Sequence, residues 1–163
     1  MKIEHLRQRL RAHGAKPGHE TLVLRNWTRA LPLDDGRSRP ENFFPLELRR
    51  ALPALAEEWG ALTRLRAEHA GADGTRLLLE LSAGQAVESV LLPRGGLCVS
   101  TQVGCAVGCT FCMTGRDGLL RQLGGAEIVA QVALARRRRA VRKVVFMGMG
   151  EPAHNLDNVI EAI

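Results

Sequence analysis

Tyrosine is absent from these 163 residues, and aromatic residues make up only 4%. That argues against a sheet module that stacks RNA bases on exposed rings. Lysine is nearly absent too. Lys2, Lys16 and Lys143 are the only three, so the basic side is almost all arginine. No apolar run approaches the roughly 20 residues that span a bilayer, so no membrane partner is expected. The start, Met1-Lys2-Ile3-Glu4-His5-Leu6-Arg7, lacks the apolar stretch of a signal peptide, and a cytoplasmic protein is expected. Cysteine is missing outside one window that holds Cys98, Cys105, Cys109 and Cys112. In a reducing compartment such a window points to metal ligation or redox chemistry, not to a disulfide framework.

What is present is a globular composition. Hydrophobic residues make up 45% and charged residues 25%, which excludes wholesale disorder. Lys plus Arg is 23 against 17 for Asp plus Glu, a formal charge of +6. That charge suits a nucleic-acid partner and suits plain solubility equally well.

The sequence changes character near Pro93. Residues 3–12 read as a short basic helix ended by Gly14 and Pro17. Residues 32–45, with Asp34-Asp35-Gly36 and three prolines, read as a loop. Residues 46–59 read as a helix that Pro53 breaks or kinks. Residues 61–69, 75–82 and 86–92 read as three short strands separated by Gly-rich turns. This part, residues 1–93, is expected to form a small α+β accessory domain of helices followed by an antiparallel sheet. From Leu97 the pattern becomes strand (97–101), cysteine loop, helix (127–138), strand (143–147), loop, helix. Ile128, Val129, Val132 and Ala133 give the first of these helices an apolar face. Asn155 is placed to cap the last helix, with Asp157 in its first turn. A βα series of this kind makes its two strands parallel, so residues 94–163 are expected to be an α/β segment.

Two motifs in that segment carry chemistry. Cys105, Cys109 and Cys112 are spaced C-x3-C-x2-C, with Gly104 and Gly108 between and beside them. Three thiolates on one tight loop can hold three irons of a 4Fe–4S cluster and leave the fourth iron open. A structural zinc site with Cys98 as fourth ligand is the rival, although such sites usually join two Cys pairs. Unrelated buried thiols are the other alternative, and they fit the close spacing poorly. The second motif is Gly148-Met149-Gly150-Glu151-Pro152, at the end of the second strand. Two glycines and a carboxylate there suit the amino group of a ligand, and they suit an ordinary strand-to-helix turn as well.

Taken together the motifs resemble a known family. Cys105-x3-Cys109-x2-Cys112, with Phe111 just before the last cysteine, resembles the signature of radical S-adenosylmethionine (radical SAM) enzymes. Gly150-Glu151-Pro152 is similar to the stretch that binds the methionine amine of SAM in that superfamily. Three longer strings, 87–90, 98–105 and 147–152, resemble the RlmN/Cfr family of RNA methyltransferases. The likeness is strong over residues 86–163 and weak before them.

The resemblance implies methylation of an adenine ring carbon, C2, in ribosomal or transfer RNA. It implies a 4Fe–4S cluster, SAM and an electron-donor protein. An amidine carbon is not nucleophilic, so a radical route answers a real chemical obstacle. In the family one cysteine first accepts a methyl group, a radical made from SAM activates that methyl, and a second cysteine resolves the enzyme–RNA adduct. Cys98 matches the resolving cysteine. Glu88 matches a carboxylate proposed to take a proton from the adduct. The fold implied is an incomplete radical SAM (TIM-like) barrel, of which the first two βα units are present. No cysteine follows Cys112 to match the methyl carrier, and the chain ends at Ile163 within a helix. A fragment inactive by itself is therefore expected, with unpaired edges or an uncovered face on the strands at 97–101 and 143–147. A non-catalytic RNA-binding remnant and a small zinc module remain as alternatives. The run Arg136-Arg137-Arg138-Arg139 suits a helix C-terminus better than an RNA contact at a barrel's catalytic mouth.

Overall fold

The computed structural model describes residues 1–36 and 40–163. Residues 37–39 of the expected 32–45 loop lie outside the described residues. Four helices come first: α1 (Ile3–Ala12), α2 (Pro17–Thr28), α3 (Pro40–Phe43) and α4 (Leu46–Gly60). α1 ends where the sequence indicated, at Gly14, whose φ of 82° few other residues adopt. α2 is an addition to the sequence reading. Pro17 opens it at a position where a missing N–H costs nothing, and Lys16 N–H donates to His19 Nδ1 at 3.0 Å. Its buried apolar residues, Leu22, Val23, Leu24 and Trp27, are too contiguous to read as a helical stripe. α4 bears out the helix read over residues 46–59 and runs without a break through Pro53.

The strands are β1 (Thr63–Gly71), β2 (Gly74–Leu81), β3 (Ala86–Leu92), β4 (Gly96–Cys98), β5 (Gln102–Gly104), β6 (Leu119–Gln122) and β7 (Lys143–Val145). Helices α5 (Gly125–Arg136) and α6 (Leu156–Ala162) follow β6 and β7. One sheet has the order β1-β2-β3-β4-β7. Its first four strands form antiparallel pairs, and β4 pairs with β7 in parallel, as the βα pattern requires. β5 and β6 form a separate antiparallel hairpin that the sequence reading did not contain.

The sheet is continuous across residue 93. A short turn, Pro93–Gly95, with Arg94 and Gly95 at positive φ, returns the chain directly onto β3. β4 is therefore paired on both sides, which corrects the expectation of an unpaired edge there. β7 is one of the two edge strands of the described sheet, with β1 at the other edge.

α5 lies between two cores. One side packs Ala126, Val129, Ala130 and Ala133 against α1, α2 and α4. The other packs Ile128 and Ala135 against Leu77, Leu79, Val87, Leu91 and Leu97 of the sheet. Nine of its residues are buried, so the single apolar face expected from the sequence is replaced by burial nearly all round. Three of the four arginines at its end are spent on structure. Arg136 donates to the Thr28 carbonyl at 2.6 Å, Arg138 pairs with Glu68, and Arg139 bonds the carbonyls of Leu92 and Gly96. Gly96 begins β4, so Arg139 sits at the opposite end of that strand from the cysteine loop. Among the described residues no helix is long and apolar enough to cross a membrane.

Candidate functional site

The strand expected at 97–101 leaves the regular ladder at Cys98 but stays bound to the segment after β7. Val99 N–H donates to the Val145 carbonyl at 2.9 Å, and Gly148 N–H donates to Val99 at 3.1 Å. Thr101 and Gln102 N–H groups both reach the Met149 carbonyl, at 2.8 and 3.2 Å. So close an approach excludes side chains. A Cβ on Gly148 would sit 2.7 Å from Ser100 Oγ, and one on Gly150 would sit 2.4 Å from Gln102 Cβ. Gly150 also has φ of 97°. The Gly-x-Gly pattern thus answers first to the neighbouring strand.

Gln131 of α5 completes the same region. It is fully buried. Its Oε1 accepts from Ser100 N–H at 2.9 Å and from Ser89 Oγ at 2.8 Å, and its Nε2 donates to the Ser100 carbonyl at 2.9 Å. One amide therefore replaces a strand partner where the ladder stops. The Ser100 hydroxyl donates to the Glu88 carbonyl at 2.5 Å and accepts from Met149 N–H at 2.8 Å. It ties β3 to the Gly-Glu-Pro segment.

Glu151 is half-buried, and its carboxylate accepts from Ala153 N–H at 3.0 Å, capping the short turn Pro152–Asn155. Asn155 does not cap α6 with its side chain, contrary to the sequence reading. Its amide donates instead to the buried carbonyls of Thr101 and Leu123, at 2.8 and 2.7 Å. The Leu123 carbonyl has this amide as its partner, and the Thr101 carbonyl accepts from it as well as from Leu123 N–H at 3.0 Å.

The cysteine loop, residues 105–118, joins β5 to β6. At its neck Cys105 N–H donates to the Gly118 carbonyl at 3.0 Å, and a Cβ on Gly104 would stand 2.1 Å from that oxygen. Cys105 is half-buried, while Cys109 and Cys112 are exposed. Cys112 N–H donates to the Cys109 carbonyl at 3.0 Å. Hydrogen bonds from the Thr114 side chain, then the Thr114 and Gly115 backbone, lower the Cys112 thiol below its ordinary pKa. Among the described residues no three His, Cys, Asp or Glu side chains converge as a metal site. The donor set itself, three thiols on one short loop, has the chemistry of an iron–sulfur ligand set. Phe111 stands 90% exposed on this loop.

Cys98 and Glu88 occupy one face of the sheet. Cys98 lies opposite Val90 in the β3–β4 register, and Glu88 is two residues from Val90, so alternation puts all three on the side away from Leu97 and Val87. Cys98 is buried, and burial pushes its thiol pKa up, partly opposed by a hydrogen bond with the Met147 backbone. Glu88 is not enclosed. Its side chain is 41% exposed and lies 3.7 Å from Arg76. Gln122 and Gln131 are polar residues that sequence reasoning did not assign to the site. The signal available for Gln131 was its place inside the apolar stretch Ile128–Ala135.

The cysteine loop and the Gly-Glu-Pro turn therefore lie together at the C-terminal end of the parallel pair β4 and β7. The radical SAM superfamily model matches residues 99–163, a span that contains both. Over these residues the chain is similar to the radical SAM superfamily. The matched span starts where β4 leaves its ladder and includes every residue of the two motifs.

The chain is 77% identical over 163 residues to a probable RNA methyltransferase of Aromatoleum aromaticum, covering 100% of this chain and 46% of the relative. It is 69% identical over 164 residues to a probable RNA methyltransferase of Leptothrix cholodnii, again covering 100% of this chain and 47% of the relative. It also resembles the crystal structure of a radical SAM methyltransferase from Sphaerobacter thermophilus. That match has a TM-score of 0.71 at 30% identity and covers 99% of this chain and 49% of the other. The chain thus spans about half the length of the relatives it matches.

Proposed function

We propose that the chain supplies the cofactor-binding part of a radical SAM methyltransferase that modifies C2 of an adenine in ribosomal or transfer RNA. The observation that carries this reading is the shared location of the cysteine loop and the Gly-Glu-Pro turn, joined through Gln102, whose Oε1 accepts from Glu151 N–H at 2.8 Å. The relatives' names support an RNA substrate. In this reading Cys105, Cys109 and Cys112 hold a 4Fe–4S cluster, and Phe111, exposed on the same loop, contributes to cofactor binding. When bound, and reduced by an electron-donor protein, the cluster supplies the electron that cleaves SAM and so opens radical chemistry at a non-nucleophilic carbon.

The chain's own residues then have distinct tasks. Gly150, Glu151 and Pro152 present a carboxylate and a close-packed backbone to the amino group of SAM. Cys98, buried and protonated at neutral pH by its raised pKa, is the thiol held in reserve for resolving a covalent adduct. Glu88, on the same sheet face as Cys98, is the proton acceptor. Its exposure leaves it open to solvent in the absence of RNA.

The test is anaerobic iron–sulfide reconstitution of the purified chain, followed by iron analysis and visible absorbance. Separate Cys105→Ala, Cys109→Ala and Cys112→Ala variants are expected to lose iron, and Cys98→Ala to retain it. Loss of iron in Cys98→Ala, or a preference for zinc in the wild-type chain, would overturn the assignment and favour a zinc module.

A further inference from the structure

Gln102 and Gln122 face each other across the β5–β6 hairpin, and their side-chain amides bond at 2.9 Å. The far ends of both amides reach the same turn. Glu151 N–H donates to Gln102 Oε1 at 2.8 Å, and Gln122 Nε2 donates to the His154 carbonyl at 2.9 Å. A backbone donor anchors one end of the chain of bonds and a backbone acceptor anchors the other. Only one orientation of each amide satisfies all three bonds. Beneath them Asn155 joins the carbonyls of Thr101 and Leu123, the immediate neighbours of Gln102 and Gln122. The hairpin's other end is the cysteine loop, since Cys105 directly follows β5 and the loop returns at Leu119. Gln102 is fully buried, so its amide is committed to this network.

We propose that the Gln102–Gln122 pair is a clamp that makes the cysteine loop and the Gly-Glu-Pro turn one mechanical unit. Both are positioning residues, and the inference rests on the proposed roles of the loop and the turn. The turn has no strand ladder of its own. It is fastened to the rest of the chain largely through these amides, Asn155 and the Met149 carbonyl. Ordering the loop around a cluster therefore orders the hairpin, and the hairpin orders Glu151. The coupling is reciprocal, so a ligand on the turn also favours the ordered loop.

Hydrogen–deuterium exchange of the chain, before and after anaerobic iron–sulfide loading, tests this. In the wild type, iron is expected to slow exchange in residues 102–104, 119–122 and 149–155 together. Gln122→Met keeps the backbone ladder and removes both Gln122 bonds. It is expected to load iron normally, while exchange at 151–155 rises about fivefold, the shift for one lost neutral hydrogen bond, and no longer responds to iron. Gln122→Glu keeps an acceptor for Gln102 but loses the donor to His154. The same loss of response at 151–155 is expected, at a half-buried position that tolerates either side chain. Iron bound in the wild type with a response confined to the hairpin would overturn the clamp. So would an unchanged response at 149–155 in both variants. A wild-type chain that binds no iron would overturn the underlying cluster reading, and iron analysis separates that failure from the other two.

Discussion

Replacing Gln131 by leucine tests the part of the architecture that sequence patterning conceals. The side chain is fully buried in α5 and bonds both backbone groups of Ser100 and the Ser89 hydroxyl. Among the described residues, Ser100 N–H and C=O find no backbone partner. Leucine fills the space and supplies no hydrogen bond. Two backbone groups are then left buried and unpaired, at about 1–3 kcal/mol each. The hydroxyl of Ser89 can rotate, so it adds little. Leucine's more favourable burial returns about 1 kcal/mol. The expected net loss is about 3 kcal/mol, a large share of the roughly 5–15 kcal/mol typical of a domain. In urea, with a slope of about 2 kcal/mol per molar, the midpoint should fall by about 1.5 M. Ser89→Ala is the control. It leaves both Ser100 bonds in place, and a loss below about 1 kcal/mol is expected. A Gln131→Leu chain within about 1 kcal/mol of wild type would refute the reasoning, as would a Ser89→Ala loss of equal size.

Glu127 is a buried carboxylate whose pKa burial would raise; the Arg121 guanidinium, Gly124 N–H and the amino terminus outweigh that and lower it from 4.5 to about 2. Its folded value lies below its unfolded one, so its stabilisation is complete above about pH 4.5 and is lost as pH falls through about 2. The amount is about 3 kcal/mol, and Glu127→Gln should flatten the acid limb of a denaturation-versus-pH curve. Gly150→Ala must hold a side chain at φ 97° and 2.4 Å from Gln102 Cβ; a loss of at least about 2 kcal/mol in urea unfolding is expected. Iodoacetamide at pH 8 should label Cys112, exposed with a lowered thiol pKa, well before Cys98, buried with a raised one. Peptide mass spectrometry reads the order, and Cys98 labelled first would contradict the placement of both thiols.

The sequence by itself determined the elements whose signals are local. Gly14 and Pro17 ended α1, turn residues separated β1, β2 and β3, and the apolar stretch at 143–147 marked β7. The cysteine spacing and the Gly-Glu-Pro string were legible because each lies in one short segment, where a loop's chemistry depends on its own residues. The parallel pairing of β4 with β7 followed from strand–helix–strand order. Tertiary structure alone decided what depended on partners distant in the chain. Cys98 acquired neighbours on both sides because the 93–95 turn returned β4 onto β3. Gln131 became a strand surrogate only because α5 passes over the point where β4 ends. Asn155, placed by the sequence to cap a helix, is drawn instead to the carbonyls of Thr101 and Leu123. Gln102 and Gln122 are ordinary strand residues until the hairpin sets them against the turn at Glu151–His154. A polar side chain's partner is fixed by which unsatisfied backbone group the fold brings within reach, and that quantity has no period or spacing along the chain.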